Sequence, residues 1–131
     1  MENNSEIVIY KTEDGETSID VKLYKDTVWL TQKQMAKLFG KDVRTISLHI
    51  NNIYKDKELE KPSSETYSSI PGRSARPAFL YNLEMIISVG YRVNSKRGVQ
   101  FRKWATKILA EYLVDGYSMN SKRLNDIKNK S

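Results

Sequence analysis

A chain of 131 residues, 39% hydrophobic and 29% charged, has the size and balance of one domain with one core, and it contains no apolar run near the roughly 18 residues of a membrane span. Zero cysteines and a single histidine, His49, exclude disulfide staples, thiolate metal sites and a histidine zinc cluster. Residues 1–95 carry 13 basic and 13 acidic side chains whereas residues 96–131 carry 9 basic and 3 acidic, so the net charge of +6 belongs entirely to the C-terminal quarter and points to a polyanionic partner or to a solvated lysine-rich face.

The N-terminus, MENNSEIVIY, is acidic and polar where a signal peptide is basic and then apolar. A cytoplasmic location without membrane attachment is therefore expected. The β-branched IVIYK and the alternating SIDVKLY, in which Ile19, Val21 and Leu23 fall on one face, predict a hairpin joined by the turn residues Glu13, Asp14 and Gly15. Lys25 and Asp26 turn the chain into VWL, a third short strand.

At Thr31 the pattern changes to helical period. Thr31 is placed to cap the helix QKQMAKLF, with Met35, Leu38 and Phe39 on one face and Gly40 ending it; Asp42 caps a second helix on which Val43, Ile46, Ile50 and Ile53 recur at spacings of three and four. Residues 32–51 thus have the spacing of a helix-turn-helix. Ala36 is small where the helices cross, Gly40 supplies the turn, and Met35, Phe39, Ile46 and Ile50 pack the pair. Lys41 stands where an apolar residue is usual, and Val43 is expected to take over its packing.

In such a motif the second helix, at about residues 42–53, enters the DNA major groove. Arg44, Thr45, Ser47, Leu48 and Asn51 are then the base-reading candidates, since Arg suits guanine, Asn adenine, and an exposed Leu the thymine methyl. Thr31, Lys33, Lys37, Lys41 and Lys55 suit phosphate, which gives affinity and register without sequence information. His49 has no ligand partners in the sequence and reads as a half-buried spectator.

From Pro62 to Pro77 the chain is rich in Ser and Pro. TYSS and AFLYN predict a second, wing-like hairpin with Arg73 and Arg76 at a basic tip. A short helix follows from Asn82, and a longer one runs from about Ser95 to Asp115 with Phe101, Trp104, Ala105, Ile108 and Tyr112 inward and Lys96, Arg97, Lys103 and Lys107 outward as further phosphate candidates. Trp29 and Tyr91 are also expected in the core. The result is an α+β domain over residues 1–117 and a flexible basic tail over 118–131.

Several segments in order resemble the N-terminal domain of the RhuM family: TEDG, TVWLTQKQMAKLF, SLHINNIY, YNLEMIISVGYRVNSKRGVQFRKWATKILAEYL and DGY. FRKWAT is also similar to the end of Bro-N and KilA-N domains of phage antirepressors and viral regulators. The resemblance implies DNA binding and continuation into a further C-terminal domain, in some members of Fic type, although the HPF that opens the Fic motif is absent here. Double-stranded DNA is the expected partner and a homodimer the expected form, because one short helix reads only a half-site. A protein-interaction module of antirepressor kind is the alternative. No catalytic residues, cofactor or metal are expected, since there is no histidine-based pair, metal cluster or GxxxxGK[ST] loop.

Overall fold

The computed structural model describes residues 6–68 and 78–115, which form a mixed α+β domain. Strands β1 (Glu6–Lys11), β2 (Ser18–Tyr24) and β3 (Thr27–Leu30) are followed by helices α1 (Gln32–Phe39) and α2 (Val43–Lys55). A one-turn helix α3 (Lys61–Ser64) leads into β4 (Glu65–Ser68), β5 (Ala78–Asn82), α4 (Leu83–Arg92) and α5 (Lys96–Asp115). The tip of the second hairpin, Gly116 and the tail 118–131 lie outside the described residues.

Period-two alternation makes the N-terminal strands one-sided. Ile19, Val21 and Leu23 on β2 are buried, with Tyr10 of β1 and Val28 and Leu30 of β3 beside them, while Ser18 and Asp20 face out. The β2–β3 connection is only two residues long, and both Lys25 (φ 53°) and Asp26 (φ 64°) are left-handed, which matches the strand twist at some strain for residues with a Cβ. The second hairpin is not a free wing at its base. β5 pairs antiparallel with β3, Leu30 opposite Tyr81, so both hairpins belong to one five-stranded sheet in the order β1-β2-β3-β5-β4. Alternation in the sequence gives each strand a face but cannot name its neighbour when the two strands are far apart in the chain, so this pairing emerges only from the fold.

Helices α1, α4 and α5 pack on the sheet, and α2 packs mainly on α1 and α4. Buried Met35, Leu38, Phe39, Ile46, Ile50, Ile53, Met85, Ile86, Val89, Phe101 and Ala105 continue the sheet's apolar face into a single core. On α5, Trp104 and Ile108 are partly buried against this core, and the Tyr112 side chain lies outside the described ones. Tyr10, Phe101 and Trp104 fasten β1 to α5, with ring centroids 5.0–5.6 Å apart. Two residues expected inside are not. Tyr91 is 85% exposed because it lies on the side of α4 opposite Met85, Ile86 and Val89, and Val43 is 39% exposed as the first residue of α2, in phase with Ile50 but at the open end of the helix.

The closest helix approach depends on glycine. A Cβ on Gly90 of α4 would lie 3.3 Å from the Gly98 Cα of α5 and 3.0 Å from Cζ of Phe39, so the missing side chains are where α1, α4 and α5 meet. Gly90→Val is expected to overpack this junction and destabilise the domain by about 1 to 3 kcal/mol in denaturant melts. Unchanged stability would mean that the helices are not in such close contact.

Helix α2 begins at Asp42, whose Oδ1 accepts the Thr45 amide at 2.7 Å; that hydrogen bond holds the carboxyl below the usual aspartate range. A depressed folded-state value means that this stabilisation is present above the unfolded aspartate pKa, about 4, and is lost as pH falls through the folded value. Asp42→Asn, which caps without titrating, is expected to flatten the acid limb of the stability profile below about pH 4. An identical acid limb in the variant would remove Asp42 as a contributor.

Candidate nucleic-acid interface

The two motif helices are built by local hydrogen bonds. Thr31 Oγ1 accepts the Gln34 amide at 3.1 Å while Gln34 Oε1 accepts the Thr31 amide at 2.8 Å, a complete capping box. The Gln34 side-chain amide then donates to the Asp20 carbonyl at 2.8 Å, anchoring the start of α1 to β2. Gly40 is left-handed (φ 65°), and the Lys41 amide closes the helix end on the Ala36 carbonyl at 3.0 Å. Ala36 is buried as expected of a close crossing.

The far end of α2 is clamped from another element. Arg92 of α4 reaches Asp56 at 3.0 Å and Glu58 at 2.9 Å just beyond the α2 C-terminus, and these carboxylates, Glu58 foremost, raise its pKa further. Tyr54 Oη lies 3.1 Å from Ser64 Oγ, tying the last turn to α3. Helix α2 is thus held at both ends and along one side.

What remains exposed on α2 is one face. Ile46, Ile50 and Ile53 point inward, and at 3.6 residues per turn Arg44, Leu48, Asn51 and Lys55 fall within an arc of about 60° on the opposite side. Leu48 is 56% exposed there. Thr45 and Ser47 are half-buried on the two flanks of this face. Helix α2 also runs to Lys55, two residues past the expected end, which brings that lysine into line with the others.

Lys33 and Lys37 are exposed one turn apart on α1, and Lys41 is exposed in the turn. Thr31 already spends its hydroxyl as the helix cap. Lys41 has no packing substitute in Val43, so both residues leave the turn open to solvent. His49 is half-buried, and its Nδ1 is buried without a hydrogen-bond partner among the described residues.

Helix phase divides the basic residues of α5. Lys96, Lys103 and Lys107 fall within about 40° of one another, opposite buried Phe101 and Ala105. Arg97 is on a different side and is engaged within the protein: Nη1 donates to the Leu38 carbonyl at 3.0 Å and Nη2 lies 3.6 Å from Asp14. It positions the end of α1 against α5 and the first hairpin. Lys96 and Lys103 border a groove of about 540 Å³ between α5 and β1, whose wall includes Tyr10, Trp104 and Lys11. Spacing in the sequence does not point to Lys11, because its strand lies far from α5 along the chain and only the aromatic contact between the two elements brings it there. Arg73 and Arg76 lie outside the described residues.

Among the described residues no three His, Asp or Glu side chains converge to hold a metal, and no helix is long and apolar enough to cross a membrane. No curated protein and no solved structure matches the chain. A family model, that of the virulence protein RhuM family, matches residues 64–131, just over half of the sequence. The matched stretch includes β5, α4 and α5, which together with β2 and β3 support α1 and α2. With the β4 edge of the sheet, the close-packed helices α4 and α5 and the basic C-terminal quarter all inside that stretch, the chain belongs to the RhuM family of virulence proteins.

Proposed function

We propose that this domain binds double-stranded DNA in sequence-specific fashion, with α2 in the major groove, as a module of a transcriptional regulator or mobile-element protein. The observation that carries this reading is the exposed face of α2, where Arg44, Leu48 and Asn51 stand together on a helix that is capped, clamped and raised away from the sheet. Arg offers two donors to guanine O6 and N7, Asn matches the adenine edge, and Leu meets a thymine methyl. Lys55, Lys33, Lys37 and Lys41 surround that face and supply phosphate contacts. In this reading the chain acts by binding rather than catalysis and works in the cytoplasm. The face of α2 also fits a protein partner in one respect, since Leu48 is an exposed apolar residue at its centre. Salt separates the two: phosphate binding loses affinity steeply as salt rises, and an apolar protein interface does not.

Selection of bound sequences from a random duplex pool is expected to return a defined motif. Against that motif, Arg44→Ala or Asn51→Ala is expected to cost about 1 to 3 kcal/mol, with little change on random DNA. Equal losses on both DNAs would assign these residues to the backbone. A flat selection at moderate salt would favour the protein partner.

The α5 lysines are expected to add to the phosphate footprint. Replacing Lys96, Lys103 and Lys107 together by Gln is expected to weaken binding alike on specific and random DNA, and to flatten the slope of log affinity against log salt by about one unit for every phosphate no longer neutralised. An unaltered slope in a folded triple variant would make them a solvated stripe.

A further inference from the structure

We infer that β1 is an interface between two copies of this chain, its outer edge pairing antiparallel with the same edge of a second copy about a two-fold axis. β1 is an outermost strand of the sheet. The hairpin register shows which backbone groups that edge offers. Thr12 donates to the Thr17 carbonyl at 3.0 Å, and antiparallel alternation from that pair turns the amide and carbonyl groups of Tyr10, Val8 and Glu6 toward β2. Those of Ile7, Ile9 and Lys11 point away from the sheet, with no strand paired to them among the described residues.

The same residues carry side chains that the core does not use. Ile7 is 56% and Ile9 58% exposed, both on the face away from the helices. Edge strands in soluble proteins are normally blunted by proline, a bulge, charged side chains, very short length or a covering element. β1 has no proline or bulge and is six residues long, and its charges, Glu6 and Lys11, stand at its two ends and leave the stretch from Ile7 to Tyr10 uncharged.

A second copy suits this edge because the strand is complementary to itself. With Val8 on the axis, Ile7 of each copy lies opposite Ile9 of the other, gathering four isoleucines into one outer-face cluster, while the two Lys11 side chains sit at opposite ends of the pair. The amide and carbonyl groups of Ile7 and Ile9 then bond across the axis. Two five-stranded sheets become one of ten strands, and the two α2 helices become related by the symmetry of a palindromic half-site pair. The pairing itself stands without the DNA-reading proposal and is measured without DNA.

Sedimentation equilibrium of the full chain at rising protein concentration is expected to move from one-chain mass, 15.2 kDa, toward two. Ile7→Lys combined with Ile9→Lys alters only exposed side chains and is expected to stay at one-chain mass with an unchanged circular dichroism spectrum. Because the chain has no cysteine, Val8→Cys gives an independent readout: oxidation is expected to link it to its own copy, whereas Glu16→Cys in the exposed first hairpin turn is not linked. One-chain mass at every concentration, a dimer that survives the double lysine variant, or linkage at Val8 no greater than at Glu16 would each overturn the inference. Loss of the dimer with retained DNA selectivity would leave the proposed function standing.

Discussion

Three helices meet where two glycines remove their side chains. Gly90 of α4 and Gly98 of α5 let the two backbones close, and the Phe39 ring of α1 fills the remaining space. Because Phe39 is the last residue of α1, the junction also sets where Gly40 turns the chain and therefore where α2 starts. Arg97 strengthens the same corner by donating from α5 to the Leu38 carbonyl. A larger residue at Gly90 pushes directly on the base of the helix-turn-helix, since a Cβ there already crowds the Phe39 ring and packed interiors have little slack to absorb a side chain.

Helix α2 follows from that base. Its inner face continues the core through Ile46, Ile50 and Ile53, and its ends are fixed by Asp42 and by the Arg92 ion pairs at Asp56 and Glu58. The exposed ion pairs contribute little stability singly, but two carboxylates on one guanidinium restrict how the helix end can swing. On the proposed DNA-binding reading such restriction is favourable, because side chains on a helix held at both ends lose less freedom on binding. The family match falls mainly on the elements that do the holding, β5, α4 and α5. Family membership therefore speaks first to the scaffold, while the exposed face of α2 rests on its own geometry.

The sheet has one face in the core and one away from it, and its edges differ. The β3 side of the first three strands is closed by pairing with β5, whereas β1 ends the sheet on the other side. β1 is also tied to α5 through Tyr10, Phe101 and Trp104. Lys11, Lys96 and Lys103 around one groove are a consequence of that tie.

Local rules are legible from the residues alone. Alternation in SIDVKLY, the caps Thr31, Asp42 and Asn82, the left-handed Gly40 and the period of α2 each depend on neighbours within about one turn, so their outcome is written in short stretches of sequence. The exposed positions Arg44, Leu48 and Asn51 follow from the same period. Long-range matters are not legible: β5 joining β3, Gly90 meeting Gly98 under Phe39, Arg92 clamping α2 and Arg97 turning inward. Each of these depends on which element stands opposite. Periodicity specifies that a side chain has an inner or outer face, but only the packed arrangement decides what lies across from it, and the glycine junction makes that choice here.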